Sequence, residues 1–100
     1  MEAVLVNVKD NEFLRQFEAT FDDKLAAMEY SVHPRNFFLT KLVMDESLIE
    51  NGSNIVFLES VFEYFKENNI KVVPTAPAIV SFFRKNRKAY KQLLPTGISI

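Results

Sequence analysis

A mixed α/β domain is predicted, with four mainly antiparallel strands followed by a helix, a strand and a closing helix. Three observations predict it: apolar residues alternate before Met44, they recur at spacings of three and four after Ser53, and a short Val-Val-Pro segment separates two helical stretches. The 100 residues fit one hydrophobic core and leave no room for a second, so residues 1–100 are expected to form one domain.

Each element has its own signal. Ala3 to Val8 reads as a strand and Asp10-Asn11 as a turn. Phe13, Arg15, Phe17, Ala19 and Phe21 then share one face of a second strand. Asp22-Asp23-Lys24 closes a hairpin onto a third strand, Leu25 to Val32. Pro34 restricts His33 and favours a turn through Asn36, from which a fourth strand runs Phe37 to Met44. Asp45 and Glu46 are read as turn residues ahead of a helix.

Residues 53 to 67 put Leu58, Val61, Phe62 and Phe65 on one face, with Glu59, Glu63, Lys66 and Glu67 toward water, as in an amphipathic helix. Asn68-Asn69 stops it. Ile70, Val72 and Val73 form a buried strand ended by Pro74, so the helix becomes a right-handed crossover between parallel neighbours. Pro77 suits the first turn of a last helix, whose buried face is Ile79, Phe82, Phe83, Tyr90, Leu93 and Leu94. Asn86 to Lys88 interrupts that recurrence, and Pro95 and Gly97 end the helix before a tail at Ile98 to Ile100.

The 13 acidic and 12 basic residues nearly cancel, yet the halves differ: residues 1–50 carry ten acidic and five basic side chains, and residues 51–100 carry three and seven. Five basic residues and no acidic one lie between Arg84 and Lys91, a local charge run able to meet an anion. The near-zero net charge and the acidic first half argue against a nucleic-acid partner. No cysteine and a single histidine exclude disulfides, thiol chemistry and imidazole-rich metal sites, so no metal is expected. The first ten residues lack an export signal and no apolar run approaches a membrane span, so no membrane partner and a cytoplasmic location are expected.

The segments "FEATFDDKLAAMEY" (17–30) and "NNIKVVPTAPAIVSFFRKNRKAYKQLL" (68–94) carry a family resemblance. In order and spacing they resemble the strand, turn and strand, and the Val-x-Pro strand end, second Pro and closing Tyr-bearing helix, of small single-domain GNAT-superfamily N-acetyltransferases, the YidJ-like group. The resemblance implies a mixed sheet whose strands splay to admit acetyl-coenzyme A (acetyl-CoA). It further implies a pantetheine arm paired like a strand in that gap, a pyrophosphate at the following helix N-terminus, and direct attack by an amine acceptor on a small-molecule thioester donor.

The resemblance also assigns sites. The stretch that resembles the pyrophosphate loop is Leu48 to Asn54, which makes Asn51, Gly52, Ser53 and Asn54 the cofactor-binding candidates. It departs from the family pattern: Ile49 replaces an expected Arg, Asn54 a small residue, and Glu50 adds a negative charge. Arg84, Lys85 and Lys88 are candidates for the 3′-phosphate. Lys41 aligns with a family histidine and Tyr90 with a tyrosine able to protonate the leaving thiolate, so these are the catalytic candidates. Ala76 stands where the family carries a cysteine and can neither take nor relay an acyl group. Two readings follow, an acetyltransferase with a degenerate site and a non-catalytic GNAT-fold binding or structural module. Ten Phe residues in so short a chain also predict an exposed aromatic patch and a homodimer.

Overall fold

Two adjacent aspartates, Asp22 (φ 48°) and Asp23 (φ 68°), both take left-handed backbone, the two-residue hairpin geometry whose twist matches its flanking strands. They join the second and third strands of a five-stranded sheet in the computed structural model, which describes residues 5–34 and 36–98. The strands, in spatial as in chain order, are β1 (Lys9–Asn11), β2 (Gln16–Phe21), β3 (Lys24–His33), β4 (Asn36–Val43) and β5 (Val72–Pro74). Pairing is antiparallel from β1 to β4 and parallel between β4 and β5. The helices are α1 (Glu46–Glu50), α2 (Ser53–Glu67), α3 (Pro77–Lys85) and α4 (Arg87–Tyr90), the last running into a 3-10 turn at Lys91–Leu93. The mixed α/β class and the order of its main elements match the expectation.

Helices α2 and α3 pack on one face of the sheet. Phe17, Met28, Tyr30, Leu39 and Val72 meet Phe57, Val61, Phe62 and Phe65 of α2, with Ile79, Phe82 and Phe83 of α3 in the same cluster. Phe62 sits at the centre, its ring 5.3 Å from those of Phe65 and Phe82 and 5.1 Å from Tyr90. The opposite face, including Glu18, Ala27, Glu29, Phe38, Lys41 and Val43, has none of these helices against it.

The N-terminal elements need correction. Ala3 and Val4 lie outside the described residues, and residues 5–8 are not strand. The paired segment is Lys9–Asn11, where a turn was expected. The turn falls at residues 12–15 instead, because the Asn11 Oδ1 accepts the Leu14 N–H at 3.1 Å and Arg15 adopts φ 55°. That local closure overrides the alternation through Phe13, which is 94% exposed rather than on a sheet face. Phe13 is also the sole exposed phenylalanine, so there is no exposed aromatic patch among the described residues.

Three further features rest on polar contacts. Of the two expected turn residues Asp45 does precede a helix, but Glu46 is already inside a short one, α1, because Asp45 caps it by accepting the Ser47 N–H at 2.9 Å. The last helix is split at Asn86, as the interrupted recurrence at Asn86 to Lys88 predicts, and the Asn86 Nδ2 donates to the Phe82 carbonyl and so satisfies the end of α3. Glu63 is not merely a solvated charge: it accepts the Tyr90 hydroxyl at 3.0 Å and pairs with Lys66 at 3.7 Å. Arg35 of the predicted third turn, and Ser99 and Ile100 of the tail, lie outside the described residues.

Candidate functional site

Parallel pairing of β4 with β5 covers only Phe37 with Val72, Phe38 with Val73 and Leu39 with Pro74. Lys71 and Thr75 carry the bonds to β4, so the Pro74 nitrogen lies on the outer edge of β5, where a missing N–H costs nothing, and Pro77 is preset for helix, so the chain turns away into α3. The parting point is fastened at one atom. The Leu39 carbonyl oxygen accepts the Thr75 N–H at 3.0 Å, the Ala76 N–H at 3.1 Å and the Thr75 hydroxyl at 2.8 Å. β4 runs on to Val43 with no strand beside it on that side among the described residues.

A bulge lies at the same level. Tyr30 pairs with Leu39 and Glu29 with Lys41, which leaves Thr40 as an extra residue on β4, its hydroxyl on the Glu29 carbonyl at 3.2 Å. Beyond it Leu42 pairs with Met28 and Val43 with Ala27. Backbone alternation turns the Leu42 N–H and C=O out of the β3 ladder and into the opening. Neither has a backbone partner from another segment among the described residues. The opening therefore offers one donor and one acceptor in strand geometry.

The α2 N-terminus follows β4 by way of α1. Gly52 is its N-cap at φ 86°, a left-handed conformation that glycine adopts without strain. A Cβ there would meet nothing within 4 Å, so backbone conformation rather than space requires glycine. The first-turn donors are partly used: the Ser53 N–H bonds to the Asn51 side-chain oxygen at 2.9 Å and the Ile55 N–H to the Gly52 carbonyl at 3.1 Å. The Asn54 N–H has no such acceptor among the described residues. No basic side chain occupies this turn, and Ile49 and Glu50 are exposed just ahead of it. Before α1, Asp45 is held below the usual carboxylate range, first by the Ser47 hydroxyl, then by the Ser47 N–H and Lys24.

Asn51, Gly52, Ser53 and Asn54 are thus contiguous at one helix end, and the other candidates lie apart from them. Lys41 is exposed on the helix-free face of β4, opposite Glu29. Tyr90 is 5% exposed, with its hydroxyl on Glu63. Burial first, then that hydrogen bond and the carboxylates of Glu63 and Glu59, push its phenol well above the usual value of 10.0. Glu63 stands ten residues into α2 from Ser53, about 15 Å along the axis. Arg84 and Lys85 join Thr75, Pro77, Val80 and Ser81 in an open groove of about 630 Å³ along α3, while Lys88 is exposed on α4. The Tyr30 hydroxyl donates to Asp10 at 2.6 Å.

Thr75, the Thr40 bulge and the Leu42 backbone were missed by sequence reasoning. Thr75 acts on a carbonyl 36 positions earlier, and no local pattern encodes that contact. Among the described residues, no group of three or more His, Asp or Glu is placed to hold a metal ion, and no helix is long and apolar enough to cross a membrane.

A mixed sheet opened between two parallel strands, with a helix N-terminus following the longer one, defines a GNAT-like domain. A family model described as GCN5-related N-acetyl-transferase matches residues 16–93, and the chain belongs to that family. No curated protein matches it significantly.

Proposed function

We propose that this chain is a YidJ-like member of its family, one domain over residues 1–100, that binds acetyl-CoA in the β4/β5 opening and transfers acetyl slowly to an amine. The observation that carries the reading is the bulged stretch of β4 beyond Leu39, which pairs with β3 and is left open on its β5 side. Its Leu42 N–H and C=O suit the amides of a pantetheine arm. The nucleotide end fits less well: the Asn54 N–H and the Gly52 turn favour a phosphate, whereas Glu50 and the Asn51 side chain on the Ser53 N–H oppose it. Arg84, Lys85 and Lys88 are the proposed counter-charges for the 3′-phosphate.

On this reading the backbone polarises the thioester carbonyl and no side chain serves as a dedicated base. Lys41 is an exposed cation, and an ammonium has no lone pair with which to take a proton. The Tyr90 hydroxyl is committed to Glu63, so a thiolate regains its proton from water. The acceptor amine must then lose its proton to solvent, and turnover rises with pH. A small-molecule thioester donor, an amine acceptor and a cytoplasmic location complete the proposal.

Calorimetric titration with acetyl-CoA and with acetyl-pantetheine tests it. Binding of both, with a modest loss when the nucleotide is removed, is the expected result; no heat from either refutes it. The second reading, a non-catalytic module, is favoured by Ala76 at the relay position and by the internally capped Ser53 N–H. Binding without acetylation of any amine in a broad panel would select a module that retains the cofactor, and absence of both would select one that has lost it.

A further inference from the structure

The helix-free face of the sheet has a pairing pattern that its proposed chemistry does not use. Across β3 and β4, Ala27 faces Val43, Glu29 faces Lys41 and Ser31 faces Phe38. Directly opposed residues share a face, so all six point away from α2 and α3. In two of these pairs a small side chain on β3 opposes a large one on β4, and in the third an acid opposes a base. Val43 is 41% exposed, and Leu25, two residues before Ala27 on the same face, is 50% exposed. The ion pairs among the described residues are Lys24 with Asp45 and Lys66 with Glu63, so Glu29 and Lys41 do not close onto each other within the chain.

We propose that this face docks a second copy of the chain. A two-fold axis in the interface, running between β3 and β4 and parallel to them, lays β3 of one copy over β4 of the other. Each residue then meets the partner copy of its own cross-strand neighbour. Val43 packs over Ala27, which is already only 4% exposed in the single chain, Phe38 covers Ser31 and Lys41 meets Glu29, each contact occurring twice as an isologous interface requires. Two aligned sheets stacked in this way stand about 10 Å apart, a spacing that large-on-small pairs fill without voids. Charge complementarity makes the occupant a second copy, because the face is complementary to itself. The proposal does not depend on coenzyme binding.

Sedimentation velocity from micromolar to millimolar concentration tests it with Glu29→Lys and Lys41→Glu. Each variant presents like charges to its own copy and is expected to sediment at the mass of one chain, while the parent reaches that of two. The decisive sample is an equimolar mixture of the two variants. There every inter-chain contact at these positions is between opposite charges, while each chain keeps its like-charged internal pair, so recovery of the two-chain mass reads the interface alone. Far-UV circular dichroism checks that both variants fold. Val43→Lys, which changes the interface without touching the charge pair, is also expected to be a single chain. A parent that stays at one-chain mass throughout, a dimer that persists in both charge variants, or a mixture that fails to recover would each overturn the proposal.

Discussion

Replacing Tyr90 by Phe removes one hydroxyl and leaves the ring where it packs, 5.1 Å from Phe62 and 6.0 Å from Phe82. What is lost is the 3.0 Å hydrogen bond to Glu63. A bond to a charged acceptor contributes about 1.5 to 3 kcal/mol when buried, but the Glu63 side chain is 35% exposed and regains water, so the expected loss at neutral pH is roughly 1 kcal/mol. The pH dependence gives a second, independent check. Burial and Glu63 raise the folded-state phenol pKa above its ordinary 10.0, so above that pH the unfolded chain releases a proton that the folded chain keeps. This contribution is complete below pH 10.0 and is lost as pH rises, so the parent and Tyr90→Phe should converge in stability on the alkaline side. Urea denaturation followed by circular dichroism from neutral pH to about pH 11 measures both effects. Equal stability at neutral pH, or a gap that stays constant into alkali, would refute the reasoning. The same variant should retain whatever acetyl transfer the parent has.

Phe62→Ala empties the centre of the aromatic cluster and should cost about 3 to 5 kcal/mol in the same assay; a loss below about 1 kcal/mol would mean that Phe62 is not central to the packing. Gly52→Ala should destabilise by roughly 1 kcal/mol through its left-handed backbone alone, and should weaken acetyl-CoA binding measured by calorimetry. Ile49→Arg with Glu50→Gly replaces a neutral and an acidic side chain ahead of α2 by a basic and a neutral one. It should tighten acetyl-CoA roughly three- to ten-fold while leaving acetyl-pantetheine unchanged, and equal tightening of both would place the effect elsewhere. Acetyl transfer by Lys41→Met should match the parent and rise with pH in the same way; selective loss in that variant would make Lys41 the base.

The sequence by itself determined the elements whose signals are local. Alternation through Phe17, Ala19 and Phe21, the spacing of Leu58, Val61, Phe62 and Phe65, and the positions of Pro74 and Pro77 were enough for the class and the element order, because backbone periodicity and proline act within a few residues. Tertiary structure alone decided the rest. Phe13 looked like a sheet residue until the Asn11 side chain closed a turn around it. The partner of the Tyr90 hydroxyl, Glu63, follows from packing against α2 and is not written in the residues around Tyr90. The opening itself depends on Thr75 reaching Leu39 and on Thr40 standing extra in β4, contacts between segments distant in the chain. Such contacts depend on how whole elements dock, and that is fixed by the summed burial of the core, to which no single stretch of sequence is a guide.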